Sequence, residues 1–237
     1  MSATRGQANV VGVALLLGVG VVAIGLLTAS VGGLVDAQIA SADADAAADG
    51  FSSFRDGVVA AANDSYSVRV TDGDLSRVNR TVRIISETRP TRTYDADGYV
   101  ADLGGHRVAF VGGAVVRGTG DSAALVTPVP VAFAGDAAFL TVPVLTADAT
   151  DGGGLGSGAT LRTQTTRTVT DRPADGYAVA VETATPDAWE RAFERRGFNT
   201  TRTDFDGDGT ESVVATVPDE RTLTVARYDV SVVIDRG

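Results

Sequence analysis

NVVGVALLLGVGVVAIGLLTASVGGLV, residues 9–35, is the stretch on which the reading of this chain turns. From Val10 to Val35 it runs 26 residues without a charge. At 1.5 Å per residue a helix of that length reaches about 39 Å, more than the roughly 30 Å of a hydrocarbon core. A core helix of a soluble domain is seldom so long or so uniformly apolar, so one membrane segment is expected. Charge sets its direction. Arg5 and the α-amino group precede the run, whereas Asp36, Asp43, Asp45 and Asp49 follow it. The positive-inside bias then holds the first residues in the cytoplasm and exports everything after Val35.

Three fates fit such a segment: a cleaved secretory signal, a plain signal anchor, or the hydrophobic helix of a prepilin. Ala40, Ser41 and Ala42 form an Ala-x-Ala site, but the run before it far exceeds the roughly 7–15 residues of a cleavable signal core. Ahead of the run, Arg5 precedes Gly6, and Gln7 opens the hydrophobic stretch with no spacer. This arrangement resembles the class III leader of archaeal type IV pilins. The resemblance implies that a prepilin peptidase cuts between Gly6 and Gln7, removing the leader and keeping the apolar segment for packing into a filament core. Val11 stands at the fifth mature position, where many bacterial pilins carry Glu; archaeal pilins often lack it.

Small residues recur four apart along the run, at Ala14 and Gly18 and at Gly25, Ala29 and Gly33. Such stripes let helices approach closely in lipid and gain dispersion contacts, so they are candidate packing positions between subunits. Beyond the membrane, Val35, Ile39, Ala42 and Ala46 keep a 4-3-4 spacing through an Ala-rich stretch of high helix propensity. The helix is expected to continue as a stalk, with Gly50 bending it before Phe51, Phe54 and Val58 dock on the head.

Composition narrows the setting. The formal charge is −10; 24 Asp outnumber 6 Glu, and all 20 basic residues are Arg. Short hydrated carboxylates and a lack of Lys fit a surface kept soluble in concentrated salt, although GC-rich codon usage also favours Asp and Arg. In molar salt the Debye length shrinks to roughly 3 Å, which removes long-range steering. Nucleic acid is an unsuitable partner for so acidic a chain. With no Cys and only His106, thiolate chemistry, disulfides and multi-histidine metal sites lose their parts.

After Asn63 the pattern becomes short runs rich in Val, Thr, Tyr and Arg, punctuated by DGD, DADG, LGG and GTGD. This predicts an all-β sandwich or meander of roughly eight to ten strands. The stretch from Asp151 to Gly158 reads as a mobile loop. One helix interrupts the strands at TPDAWERAFERRG: Thr185 can cap, Pro186 suits the first position and Gly197 closes it. Trp189 and Phe193, four apart, are expected to bury one face. With its RGQ-x-NVVGVALLLG start and this TPDAW helix, the chain resembles a group of haloarchaeal pilin-like membrane proteins of uncharacterised function. That resemblance implies no enzymatic activity.

Two motifs point to chemistry. In DFDGDGTES, Asp204, Asp206 and Asp208 alternate as at the start of an EF-hand calcium loop, but Ala215 holds the twelfth position, where a bidentate Glu belongs. Calcium ligation and a solvated acidic turn both remain open readings, with Glu211 as a substitute ligand. Sequons at Asn63, Asn79 and Asn199 mark candidate glycosylation sites. His106 lacks a G-x-S-x-G partner and reads as a strand-edge residue, so no catalytic residue is assigned.

The expected class is thus α+β, a long N-terminal hydrophobic helix followed by an all-β head with one short helix. Its parts are a leader (1–6), a hydrophobic helix (7–35), a helical stalk (36–60) and an extracytoplasmic head (61–237). The expected role is a single-pass, cell-surface pilin-like subunit that is not an enzyme. Its partners are the lipid bilayer, prepilin peptidase and pilin-like subunits or further copies of itself. It needs no cofactor beyond a possible calcium ion. The alternative is a tethered binding module that never polymerises.

Overall fold

A computed structural model describes residues 17–19, 21–22, 38–68, 73–147, 153–154 and 159–236. The chain divides into two compact units, Met1–Ser41 and Ala42–Gly237. In the first, residues 17–19 and 21–22 are helical, and Leu17, Val19, Val21 and Val22 stand 62–67% exposed.

Helix α1 is continuous over residues 38–59. From Ala42 onward it belongs to the second unit, where Ala44, Ala47, Ala48, Phe51, Phe54 and Val58 are all buried. Phe51, Phe54 and Val58 dock as expected, and the segment expected to be a stalk is buried further back as well, from Ala44 onward. The seam also lies elsewhere than expected: Ile39 is 49% exposed, and the large rings of Phe51 and Phe54 set the phase in a stretch where Ala cannot. Gly50, expected to bend the helix, interrupts none of its turns. A Cβ there would lie 2.6 Å from the carbonyl oxygen of Ser67, so the glycine admits a crossing strand.

Sixteen strands are described, in three sheets. The first runs β1 (Ser65–Val68), β12 (Ala159–Asp175), β16 (Arg221–Arg236), β10 (Ala137–Ala147) and β9 (Val131–Ala134). Its β10–β16 pair is parallel and its other pairs are antiparallel. The second is β11 (Gly153–Gly154), β2 (Asp74–Val78), β5 (Gly98–Leu103), β6 (His106–Val111), β7 (Ala114–Arg117) and β8 (Ala124–Leu125). The third is β14 (Asn199–Thr203), β15 (Ser212–Thr216), β13 (Tyr177–Glu182), β3 (Thr81–Ser86) and β4 (Arg92–Asp95).

Two cores result. In one, α1 packs against Leu161, Tyr228, Val230 and Val232 of the first sheet and Tyr99, Ala101 and Phe110 of the second. Phe54 meets Phe110 edge-on at 5.1 Å. In the other, helix α2 (Pro186–Glu194) lays Trp189 and Phe193 on the third sheet and on Leu223 and Val225. Strand β16 serves both, because successive side chains alternate between faces: Leu223 and Val225 point one way, Tyr228, Val230 and Val232 the other.

The expected α+β class led by a long hydrophobic helix is corrected by this architecture. The described residues form a mainly β fold of three sheets, neither a two-sheet sandwich nor a single meander. Among them no helix is long and apolar enough to cross a membrane. The physical reason is visible in α1, whose apolar faces alternate with Asp43, Asp45, Asp49, Arg55 and Asp56 because they close onto sheets. Most of the apolar run 9–35 lies outside the described residues, as does most of the stretch from Asp151 to Gly158.

Candidate functional site

Of the positions singled out in the amino-terminal run, Gly6, Gln7, Ala14, Gly25, Ala29 and Gly33 lie outside the described residues. Gly18 is helical, with open space where a side chain would start.

The acidic loop is described throughout, and its carboxylates do different jobs. Asp204 accepts backbone N–H groups from Gly207 at 2.8 Å, Gly209 at 3.0 Å and Asp206 at 3.3 Å. Those bonds, Gly209's foremost, hold its carboxyl below the usual carboxylate range. Asp208 accepts the N–H of Thr210 at 2.7 Å. Asp206 stays half-solvated and takes two bonds from Arg83 Nη2, at 2.8 and 2.7 Å. Glu211, the substitute calcium ligand, faces Arg202 at 3.4 Å. Ala215, at the twelfth position, is buried in β15. Among the described residues no group of three or more His, Cys, Asp or Glu side chains stands close enough to hold a metal ion.

Asp206 brings the loop to a feature that its own sequence does not announce. A cleft of about 530 Å³ is lined by Arg77, Arg80, Asp95, Asp97, Glu182 and Asp206. Alternation on β3 places Thr81 and Arg83 on one face, and Glu182 ends β13 beside them. Glu182, 6% exposed, accepts the hydroxyl of Thr81 at 2.7 Å and its N–H at 3.2 Å. Arg80 and Arg83 approach the same carboxylate at 3.7 and 3.9 Å. Arg83 also donates to the Thr81 hydroxyl at 2.6 Å and lies 4.7 Å under the ring of Phe205. On the opposite wall Arg77 Nη2 holds Asp97 at 2.5 Å and reaches the Leu145 carbonyl at 3.3 Å.

Each guanidinium is thus matched by a carboxylate, but acids are in excess: Asp95, Asp97, Glu182, Asp206 and Asp208 face Arg77, Arg80 and the neighbouring Arg83, so the cleft is net acidic. It offers fixed donors and acceptors suited to holding a polar ligand. Sequence reasoning missed the site because its acids and arginines come from four separate segments; the one clue was Arg80 and Arg83 inside the strand-like run NRTVRII.

Asn63, Asn79 and Asn199 are all exposed. Asn63 Oδ1 accepts the N–H of Thr165 at 2.8 Å, and Thr81, the sequon partner of Asn79, is engaged with Glu182. His106 opens β6 after a Gly104–Gly105 turn and is half-buried. Thr185 sits at the N-cap of α2 without a side-chain capping bond; its hydroxyl meets that of Thr183 at 3.2 Å instead.

Fold and cleft together define a helix-cored, three-sheet β protein with a net-acidic surface cleft crossed by ion pairs. The chain belongs to a family of unknown function, DUF7289, whose model matches residues 5–233. No curated protein and no solved structure matches it.

Proposed function

We propose that this chain is a pilin-like structural subunit of the cell surface, haloarchaeal in character. In this reading it is processed between Gly6 and Gln7, held at the membrane through its apolar amino-terminal run, and displays the unit 42–237 outside. The observation that carries the reading is the exposure of Leu17, Val19, Val21 and Val22, a helical apolar surface that water does not tolerate. Lipid or the same surface of neighbouring subunits would cover it. The family model covers residues 5–233, so the apolar run and nearly all of the unit 42–237 belong to one family extent.

The charged cleft favours a second reading, a tethered binding module that never polymerises, since a polar cleft of that size can hold a ligand without any filament. Mass spectrometry of the native amino terminus, combined with fractionation into membrane and sheared filaments, separates the readings. A terminus at Gln7 with protein in filaments supports the subunit. A terminus at Gln7 with protein only in membranes supports the module. An intact Met1 or Ser2 removes the prepilin assignment altogether.

A further inference from the structure

Strand β12 is paired along one edge for most of its length, in unbroken register with β16 from Ala159↔Arg236 to Arg172↔Leu223. Its other edge is taken by β1 only from Ala159 to Arg162. Just beyond, Thr163 donates its N–H to the Asp64 carbonyl at 2.9 Å and Thr165 donates to Asn63 Oδ1 at 2.8 Å. Among the described residues no strand pairs with that edge from Thr166 to Arg172. Thr166 to Asp171 are all exposed, Val169 by 48%.

Parity identifies the free groups. The N–H groups of Thr163 and Thr165 point away from β16, and the register is regular through Arg172, so the backbone groups of Arg167, Val169 and Asp171 point the same way. Natural edges of this kind are usually blunted by Lys, Pro or a bulge. Here the chain has no Lys, the first proline of β12 is Pro173, and the register irregularity falls between Arg172 and Asp175, past the free stretch.

We propose that this edge pairs antiparallel with the same edge of a second copy of the chain, about a two-fold axis through Val169. The sequence TRTVTDR, residues 166–172, is complementary to itself about that point. Arg167 falls opposite Asp171 of the other copy, twice, Thr168 opposite Thr170, and Val169 opposite its own image. Centring the pairing on Arg167 or Asp171 instead sets like charges face to face, which is destabilising in a cross-strand pair. The outward groups of Arg167, Val169 and Asp171 then exchange about six backbone hydrogen bonds. Both charged side chains are already held on one face: Arg167 lies 5.9 Å from the Tyr228 ring, and Asp171 accepts the Thr224 hydroxyl at 2.6 Å. Two five-stranded sheets become one. The contact is isologous, so it closes as a dimer and does not by itself propagate a filament. It stands independently of the role proposed above.

The chain has no cysteine, so Val169→Cys places a single thiol on the proposed axis. Directly opposed residues of a hydrogen-bonded pair lie about 5.5 Å apart at Cα, within the span a disulfide bridges. The full chain, kept soluble in mild detergent, should sediment as a dimer, and the Val169→Cys variant should oxidise to a covalent dimer. Val126→Cys, at a position 49% exposed away from this edge, should not. Asp171→Arg should weaken dimerisation about tenfold, and the double variant Arg167→Asp with Asp171→Arg should restore it. Val169→Pro, which removes an outward N–H and leaves the β16 ladder intact, should weaken it as well. A monomeric full chain overturns the proposal. So does a dimer indifferent to these charge changes, or one that crosslinks equally at Val126.

Discussion

Arg83 and Asp206, 123 residues apart in sequence, meet in a double contact of 2.8 and 2.7 Å that ties the acidic loop to β3. The Arg83 side chain is 9% exposed, whereas that of Asp206 is 54% exposed. The two partners of this arginine are therefore unequal. Asp206→Asn removes a half-solvated charge and should cost about 1 kcal/mol. Glu182→Gln leaves Arg80 and Arg83 facing an amide from inside the protein and should cost about 2–4 kcal/mol. Chemical denaturation of both variants in the same salt checks the order. Equal costs would mean that solvent screens Glu182 far more than its burial implies.

The acidic loop also bears on stability against pH. Asp204 is held below its ordinary value by the N–H groups of Gly209 and Gly207, Asp187 and Glu190 by Arg202, and Asp175 by the hydroxyls of Ser86 and Thr88. A carboxyl lowered in the folded state contributes stability that is fully present above its unfolded value, about 4, and is lost as pH falls through the folded value. Asp175→Asn should accordingly be less stable than the parent at pH 7, with the gap closing as pH drops below about 4. Urea midpoints at pH 7, 4 and 3 measure it. A gap that stays constant would remove Asp175 from the acid response.

Much of this fold was legible where residue type and position agree. The runs VRII, VAFV, YAVAVE and SVVAT became strands, and TPDAWERAFE became a helix with Trp189 and Phe193 inward. Sixteen strands are described where eight to ten were expected, in part because β2 (DLSRV), β4 (RTYD) and β14 (NTTRT) are polar and partly exposed and carry little alternation. The cleft escaped notice for a different reason: Arg80, Asp97, Glu182 and Asp206 come together only through sheet pairing, and no local pattern encodes that. The phase of α1 was misread because Ala fills both its buried and its exposed positions.

Trp189 tests whether the α2 aromatic pair is packing or display. Its ring is fully buried, 5.6 Å from that of Phe193, and its indole Nε1 finds no hydrogen-bond partner among the described residues. Trp189→Ala should cost about 3–5 kcal/mol through the cavity it leaves. Trp189→Phe should cost distinctly less, because it also removes an unsatisfied buried donor. Thermal unfolding of the two variants gives the comparison. A Phe variant as damaged as the Ala variant would mean that the indole nitrogen has a partner in solution.

Gly50 sets two effects of opposite sign against each other. In an exposed helix, Gly→Ala gains about 1 kcal/mol from propensity. Here the added Cβ would stand 2.6 Å from the Ser67 carbonyl oxygen and 3.1 Å from the Cα of Val68, both backbone atoms of β1. Neither can swing aside as a side chain does, so α1 and β1 would have to separate. The cost reaches beyond that pair, since the adjacent Phe51 is buried in the same core and Phe54, one turn on, packs against Tyr66, Tyr99 and Phe110. Overpacking of this kind typically costs about 1–3 kcal/mol, enough to offset or exceed the propensity gain. Gly50→Ala should therefore destabilise the protein, whereas the same change at Gly18, where nothing lies within 4 Å, should leave the unit 42–237 unaffected. Melting temperatures of the two variants decide it, and a Gly50→Ala variant at least as stable as its parent would mean that β1 does not cross the helix this closely.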